Sequence, residues 1–163
     1  MKKRKPNVVS IYSGAGGLDL GFNKAGFNVV YATDNWQPAC DTLEENKTAN
    51  KIICDDIANL NFKLIKNDIG TVDCLIGGPP CPPFSKSRFY LKAKKRSLQD
   101  ENGLKTLTHY FRAVSELKPK VFLFENVYGF VYKPHRDAFE MLENFSKNLG
   151  YTISFQVVNS ADY

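Results

Sequence analysis

The 163-residue sequence is short of histidine, has one tryptophan, and contains no pair of cysteines with C-x-x-C spacing. The two histidines, His109 and His135, and the four scattered cysteines, Cys40, Cys54, Cys74 and Cys81, do not have the spacing of a zinc site. Nor do they form a disulfide framework, so they read as reduced thiols of a cytoplasmic protein. No apolar run approaches the roughly 20 residues that cross a bilayer, which argues against a membrane partner. The opening "MKKRKPNVVSIYSG" is basic and then apolar, as a signal peptide would be, but its apolar run breaks at Ser13-Gly14 without an A-x-A site. Repeats, low-complexity tracts and linkers are also missing, so residues 1–163 read as part of one domain.

What is present is a globular composition, 43% hydrophobic and 24% charged, with a net charge of +5. The charge is unevenly spread. Lys86, Arg88, Lys92, Lys94, Lys95 and Arg96 fall within a dozen residues, with Phe89 and Tyr90 among them. Two readings stand for this run: a solvated surface loop, or a loop that closes over phosphates.

Short apolar runs rich in β-branched residues alternate with longer mixed segments. Strands are expected at Asn7–Tyr12, Phe27–Thr33, Lys51–Cys54, Val72–Ile76, Lys120–Glu125 and Tyr151–Val158. Helical spacing fits Leu18–Ala25, Gln37–Ala49, Leu104–Leu117 and Asp137–Leu149, with Gly150 where a helix C-cap belongs. Strand–helix alternation with near-continuous apolar strands predicts an α/β fold, a parallel sheet with helices on both faces. Ligands of such sheets bind beyond the carboxyl ends of the strands. The loops expected there are "SGAGGLDLG", "DNWQP", "DDIANL", "GGPPCPPFS" and "ENVYG", which hold every unusual stretch of the sequence.

Ser13-Gly14-Ala15-Gly16-Gly17 follows a strand and opens a helix, so its glycines permit a tight turn and close backbone approach to a ligand. Asp34 lies 20 residues beyond Gly14 at the end of the second strand, where an acid can accept both hydroxyls of a ribose. The pair points to an adenosine-containing ligand without separating a nicotinamide dinucleotide from S-adenosylmethionine. "GGPPCPPFS" favours the second. Proline fixes φ and restricts its predecessor, so four prolines hold Cys81 in a narrow range of positions. Methyl transfer to a poorly nucleophilic ring needs a thiolate nearby, and a dehydrogenase does not. Glu125-Asn126 ends the fifth strand, where a desolvated carboxyl group could stay protonated and donate to a ring nitrogen.

On these residues the chain resembles the N-terminal half of the cytosine-C5 DNA methyltransferases. The matching motifs are "YSGAGGLDLGF", "YATDN", "DDI", "GGPPCPPFS", "ENV" and "VNSADY", in the family's order. The resemblance implies a Rossmann-like S-adenosylmethionine-dependent methyltransferase sheet, incomplete at its C-terminal end, with the target-recognition domain absent. It places Tyr12, Ser13, Gly14, Gly16 and Gly17 around S-adenosylmethionine. Asp34 and Asn35 would lie at its ribose, Asp56 and Ile57 at its adenine, and Pro80 at its reactive end. Cys81 would attack C6 of a cytosine flipped out of double-stranded DNA, with Glu125, Asn126 and Pro80 completing the catalytic set. S-adenosylhomocysteine would be the product, and Ser85, Lys86 and Arg88 would meet the DNA backbone.

The sequence departs from the family at several positions. Ser10 stands for an acid, Pro82 for a glutamine, and Asp100-Glu101-Asn102 for a D-x-R pattern. Asn35 replaces an apolar or aromatic residue, with Trp36 next to it as a substitute. The family's Q-x-R-x-R motif is absent, and Tyr151–Val158 is expected to lack a strand partner. Half an enzyme is the resulting expectation, completed by a C-terminal subunit or fragment and belonging to a restriction–modification setting, nucleoid-associated if bacterial. A tRNA-methylating branch of the family and a non-catalytic cofactor- or nucleic-acid-binding remnant are the alternatives.

Overall fold

Five of the six apolar runs form strands in the computed structural model, which describes residues 4–82, 84–85 and 97–162. They are β1 (Asn7–Ile11), β2 (Asn28–Asp34), β3 (Lys51–Cys54), β4 (Cys74–Gly77) and β5 (Val121–Phe124). All pair in parallel, in the order β3-β2-β1-β4-β5. β1 is central and wholly enclosed from Val8 to Ile11, which explains why Ser10 is the sole polar residue in that run. The order reverses between β1 and β4, so the crevice beyond their carboxyl ends is the topological switch point. The described elements fall into two compact units, Met1–Pro80 with Lys105–Glu125 and Cys81–Leu104 with Asn126–Tyr163.

The first unit contains the sheet, α1 (Gly17–Lys24), α2 (Gln37–Glu45), α3 (Phe62–Ile69) and most of α4 (Glu101–Leu117). Val8, Val29, Cys74 and Ile76 form one face of the core, and Leu18 and Phe22 of α1 pack against it. Tyr110 of α4 serves the other face. Its buried ring stands edge-on to Phe122 and Phe124, and its hydroxyl donates to the Leu123 carbonyl at 2.8 Å. Burying each such side chain stabilises by roughly 1.5–3 kcal/mol. Below the sheet, Asp73 accepts from Lys120, Arg4 and the Asn7 N–H, and these partners hold its carboxyl down at about 2.

Helix ends follow local sequence. After α1 the Gly26 N–H donates to Asn23 O and the Phe27 N–H to Phe22 O, with the two phenylalanine rings 5.0 Å apart. This is a Schellman closure with its hydrophobic contact. α2 stops four residues before the expected Ala49, because Lys47 turns to φ +48° and sends the Thr48 N–H back to Leu43 O. α3 and the short 3-10 turn Ile57–Asn59 were not anticipated; side chains of Asn61 and Asp56 cap them by accepting from the Leu64 and Ala58 N–H groups.

The second unit contains α5 (Arg136–Asn148) and 3-10 turns at Ser97–Gln99, Tyr128–Val131, Lys133–His135 and Ser160–Asp162. Ser97 donates to Asp137 at 2.6 Å, tying the first of these turns to α5. Gly150, at φ +82°, closes α5 as expected, donating to Lys147 O while the Tyr151 N–H reaches Ser146 O. Tyr151–Val158 is not a strand. A strand exists by its ladder, and the five-stranded sheet of β1 to β5 does not include this stretch; Phe155 and Val158 are more than 60% exposed. Among the described residues no helix is long and apolar enough to cross a membrane.

Candidate active site

At the switch point β1 ends one residue earlier than expected, because Tyr12 adopts φ +53°. The chain then turns through Gly14 at φ +53° and Gly16 at φ +84° into α1. The two glycines have different reasons. A Cβ on Gly16 would stand 2.8 Å from Leu43 Cδ2 and 3.0 Å from Thr48 Cγ2, so its bareness lets the turn pack on α2. A Cβ on Gly14 would meet nothing within 4 Å. Gly14 therefore faces open space while its N–H donates to Asp34 Oδ2 at 2.8 Å.

Asp34 ends β2, and its other oxygen accepts from the Trp36 N–H at 3.0 Å. Both oxygens are thus fixed by backbone donors yet keep lone pairs, and the residue is only half-buried. That arrangement suits a vicinal diol next to the Gly14 backbone. Asn35 and Trp36 are exposed, Trp36 by 65%, so its ring is unengaged by the core. After β3, Asp56 accepts from the Ala58 N–H at 2.9 Å and lies 3.9 Å from Lys105 Nζ. Ile57 is buried, and the Arg112 guanidinium donates to the carbonyls of Ile57 and Leu60 while stacking over Phe62 at 4.8 Å. Tyr12 donates to Thr106 O at 3.0 Å. Burial, then Asp56, pushes the Tyr12 phenol well above its ordinary range, so it remains a donor.

At the end of β4, Gly77 and the following Gly78 bring backbone against neighbours. A Cβ on Gly77 would strike Ile11 O at 2.6 Å, and one on Gly78 would strike Glu125 Oε2 at 2.6 Å. The Glu125 N–H donates to Gly77 O at 2.9 Å, so the end of β4 sets both backbone and carboxylate of Glu125. Glu125 is exposed, so the desolvation asked of it by the sequence is not supplied by its neighbours in this unit. Pro80 is exposed at the unit's edge.

In the second unit the Phe84 and Ser85 N–H groups both donate to Cys81 O, at 2.9 and 3.0 Å. Cys81 is half-buried. Of the other thiols, Cys40 and Cys74 are buried, and burial raises both, Cys74 to about 11, which leaves them inert. Cys54 is exposed at the end of β3. Asn126 is half-buried, with its side-chain oxygen on the Val127 N–H. Lys86 and Arg88 lie outside the described residues.

The structure thus gathers Tyr12, Ser13, Gly14, Gly16, Gly17, Asp34, Asn35, Asp56, Ile57, Pro80 and Glu125 in the sheet-bearing unit, and Cys81, Ser85 and Asn126 in the other. Sequence reasoning missed Gly78, Arg112 and Thr106. The Gly-Gly doublet at the end of β4 was a usable signal for the first; nothing in a polar position of an amphipathic helix announces the other two.

A protein-family model, C-5 cytosine-specific DNA methylase, matches residues 6–163. The Type II methyltransferase M.SacI of Streptomyces achromogenes is 37% identical over 96% of the chain, and M.MthTI of Methanothermobacter thermautotrophicus 40% identical over 96%. The chain spans 44% of the length of each. A prophage-encoded protein of E. coli superposes with a TM-score of 0.69 at 29% identity, over 88% of this chain and 38% of that one. Entamoeba histolytica methyltransferase EhMeth shares the fold, with a TM-score of 0.70 at 20% identity over 98% and 49% of the two chains. The chain therefore belongs to the C-5 cytosine-specific DNA methylase family, whose cofactor is S-adenosylmethionine.

Proposed function

We propose that this chain carries the cofactor platform and the nucleophile of an enzyme that methylates C5 of cytosine in double-stranded DNA. The observation that carries the proposal is the Cys81 turn: a half-buried thiol whose own carbonyl is held by two N–H groups, in a chain whose Cys40 and Cys74 are sealed in the core. The residues fit the family's cofactor. Asp34 would accept the two ribose hydroxyls beside the Gly14 backbone, which approaches open space. Asp56 and Ile57 would meet the adenine, held in place by Arg112, and Tyr12, Ser13, Gly16, Gly17, Asn35 and Pro80 would line the rest. When bound, S-adenosylmethionine supplies an electrophilic methyl group.

The chain's own residues do the remainder. The Cys81 thiolate adds to C6 of the flipped cytosine and pushes its electron pair toward C5. The Glu125 carboxyl O–H donates to N3 while its other oxygen accepts from the exocyclic amino group, which offsets the negative charge that develops on the ring, and Asn126 completes the catalytic set. Once C5 carries the methyl group, its proton leaves and the Cys81 sulfur is expelled, restoring the thiolate. Ser85, Lys86 and Arg88 meet phosphates, a role that positions DNA without reading its sequence.

Turnover requires the polypeptide that makes up the rest of the relatives' length, whether it follows on the same chain or arrives as a complementing subunit. Two facts support this: the 44% span, and the exposure of Val121 and Leu123 on β5, the last strand of the sheet. Labelled methyl transfer tests the proposal, using duplex DNA and tRNA with the 163-residue chain alone and with the complementing half. Transfer to DNA only on completion, lost in Cys81→Ser, is expected. Enzyme-like turnover by the lone chain, or transfer to tRNA instead of DNA, refutes it.

A further inference from the structure

The prolines of the Cys81 loop restrict its backbone but do not fix where the loop sits. That job falls to Phe84, which is 1% exposed and pinned on two sides. Its ring stands edge-to-face with Phe130 at 4.9 Å and with the His135 imidazole at 5.7 Å. Its carbonyl lies so close to Gly129 that a Cβ there would be 2.1 Å from the oxygen and 3.2 Å from the carbonyl carbon. Gly129 has no left-handed φ to explain it. Its bareness serves this close approach alone.

Gly129 is held in turn. The buried His135 ring contacts the Gly129 carbonyl through Nδ1 at 2.7 Å, and since a carbonyl only accepts, Nδ1 carries the hydrogen. A single series of contacts within one unit therefore runs from His135 to Gly129, from Gly129 to Phe84, and from the Phe84 N–H to Cys81 O. His135 adds a second contact by bearing directly on the Phe84 ring. His135 Nε2 makes no hydrogen bond among the described residues, which is the cost of burying a polar ring where leucine would pack without one.

We propose that Gly129 and His135 are positioning residues for Cys81: they seat Phe84, and Phe84 seats the turn that presents the sulfur. The inference rests on Cys81 being the nucleophile, but its test does not. Alkylation of Cys81 reports where the thiol sits and proceeds whether or not the sulfur ever adds to a pyrimidine. The chemical reading fails separately, in the DNA assay.

The experiment is iodoacetamide labelling of the 163-residue chain, with modification at each cysteine followed by mass spectrometry and Cys54 as the internal control. Gly129→Ala drives a methyl group into the Phe84 carbonyl and is expected to speed Cys81 alkylation about tenfold, with Cys54 changed less than about twofold. A Cys81 rate within about twofold of the parent overturns the proposal. Should Gly129→Ala unfold, the buried Cys40 and Cys74 become labelled along with Cys81, and the His135 pair decides. His135→Asn keeps a donor near the Nδ1 position and is expected to leave Cys81 within about twofold; His135→Leu removes it and is expected to give about a tenfold rise. Equal rates in the two variants overturn the proposal, because a merely space-filling ring would not distinguish them.

Discussion

Replacing Gly16 and Gly14 by alanine separates the two reasons for glycine in the turn after β1. Both sit in the left-handed region, at φ +84° and +53°, where a side chain costs about 1–2 kcal/mol. At Gly14 nothing further is added, since the new methyl group meets no atom within 4 Å. At Gly16 the methyl group would be 2.8 Å from Leu43 and 3.0 Å from Thr48, both essentially unexposed. Forcing a carbon into such a place costs about 1–3 kcal/mol more. Gly16→Ala should thus lose about 3 kcal/mol, or about 6–12 °C of Tm for a chain this long, and Gly14→Ala about half that. The losses in cofactor affinity should reverse: about tenfold or more for Gly14→Ala, whose methyl group enters the open side of the turn. Thermal unfolding by circular dichroism and titration calorimetry with S-adenosylmethionine make the comparison. Equal Tm losses, or unimpaired binding by Gly14→Ala, would refute the assignment.

Asp19, wholly enclosed in the first turn of α1, has neither carboxylate oxygen hydrogen-bonded among the described residues. Burial pushes it up to about 6 from 3.8, with the Ser10 hydroxyl beside it pulling the other way. The folded state therefore holds this proton more tightly than the unfolded one, so its contribution is full below about pH 4 and is lost as pH rises toward 6, by up to about 3 kcal/mol. Urea unfolding of the parent and of Asp19→Asn between pH 4 and 7 should diverge across that window, and parallel curves would contradict the sign. Lys47 holds φ +48° to close α2, so Lys47→Gly should stabilise by about 0.5–1 kcal/mol, read by the same unfolding curves. Asp34→Ala strips the partner from the Gly14 and Trp36 N–H groups and the acceptor from a ribose, so S-adenosylmethionine affinity should drop about a hundredfold by calorimetry.

The parallel sheet was legible because the strand runs are apolar on both faces, as in Val8–Ile11 and Cys74–Gly77. Its rim was legible because glycine and proline collect where strands end. Boundaries set by a single backbone angle were not: Tyr12 and Lys47 turn to positive φ without being glycine or asparagine. α3 escaped notice because its eight residues make only about two turns, too short for a helical period to declare itself, and Asn61 as a cap marks its start. Tyr151–Val158 has the alternation of a strand, but a ladder needs a neighbour, and alternation says nothing about whether one is present. Contacts such as Arg112 on Ile57 or Gly78 under Glu125 arise from tertiary approach and have no local signature.

The most direct test is whether the Cys81 sulfur bonds to a cytosine ring. A duplex carrying 5-fluorocytosine cannot release its C5 substituent as a proton, so attack at C6 followed by methylation should trap the protein on the DNA. With the complementing half and S-adenosylmethionine supplied, a denaturation-resistant conjugate mapping to Cys81 is expected, and none with Cys81→Ser. No conjugate from the parent protein, or one that survives the substitution, would contradict Cys81 as the nucleophile.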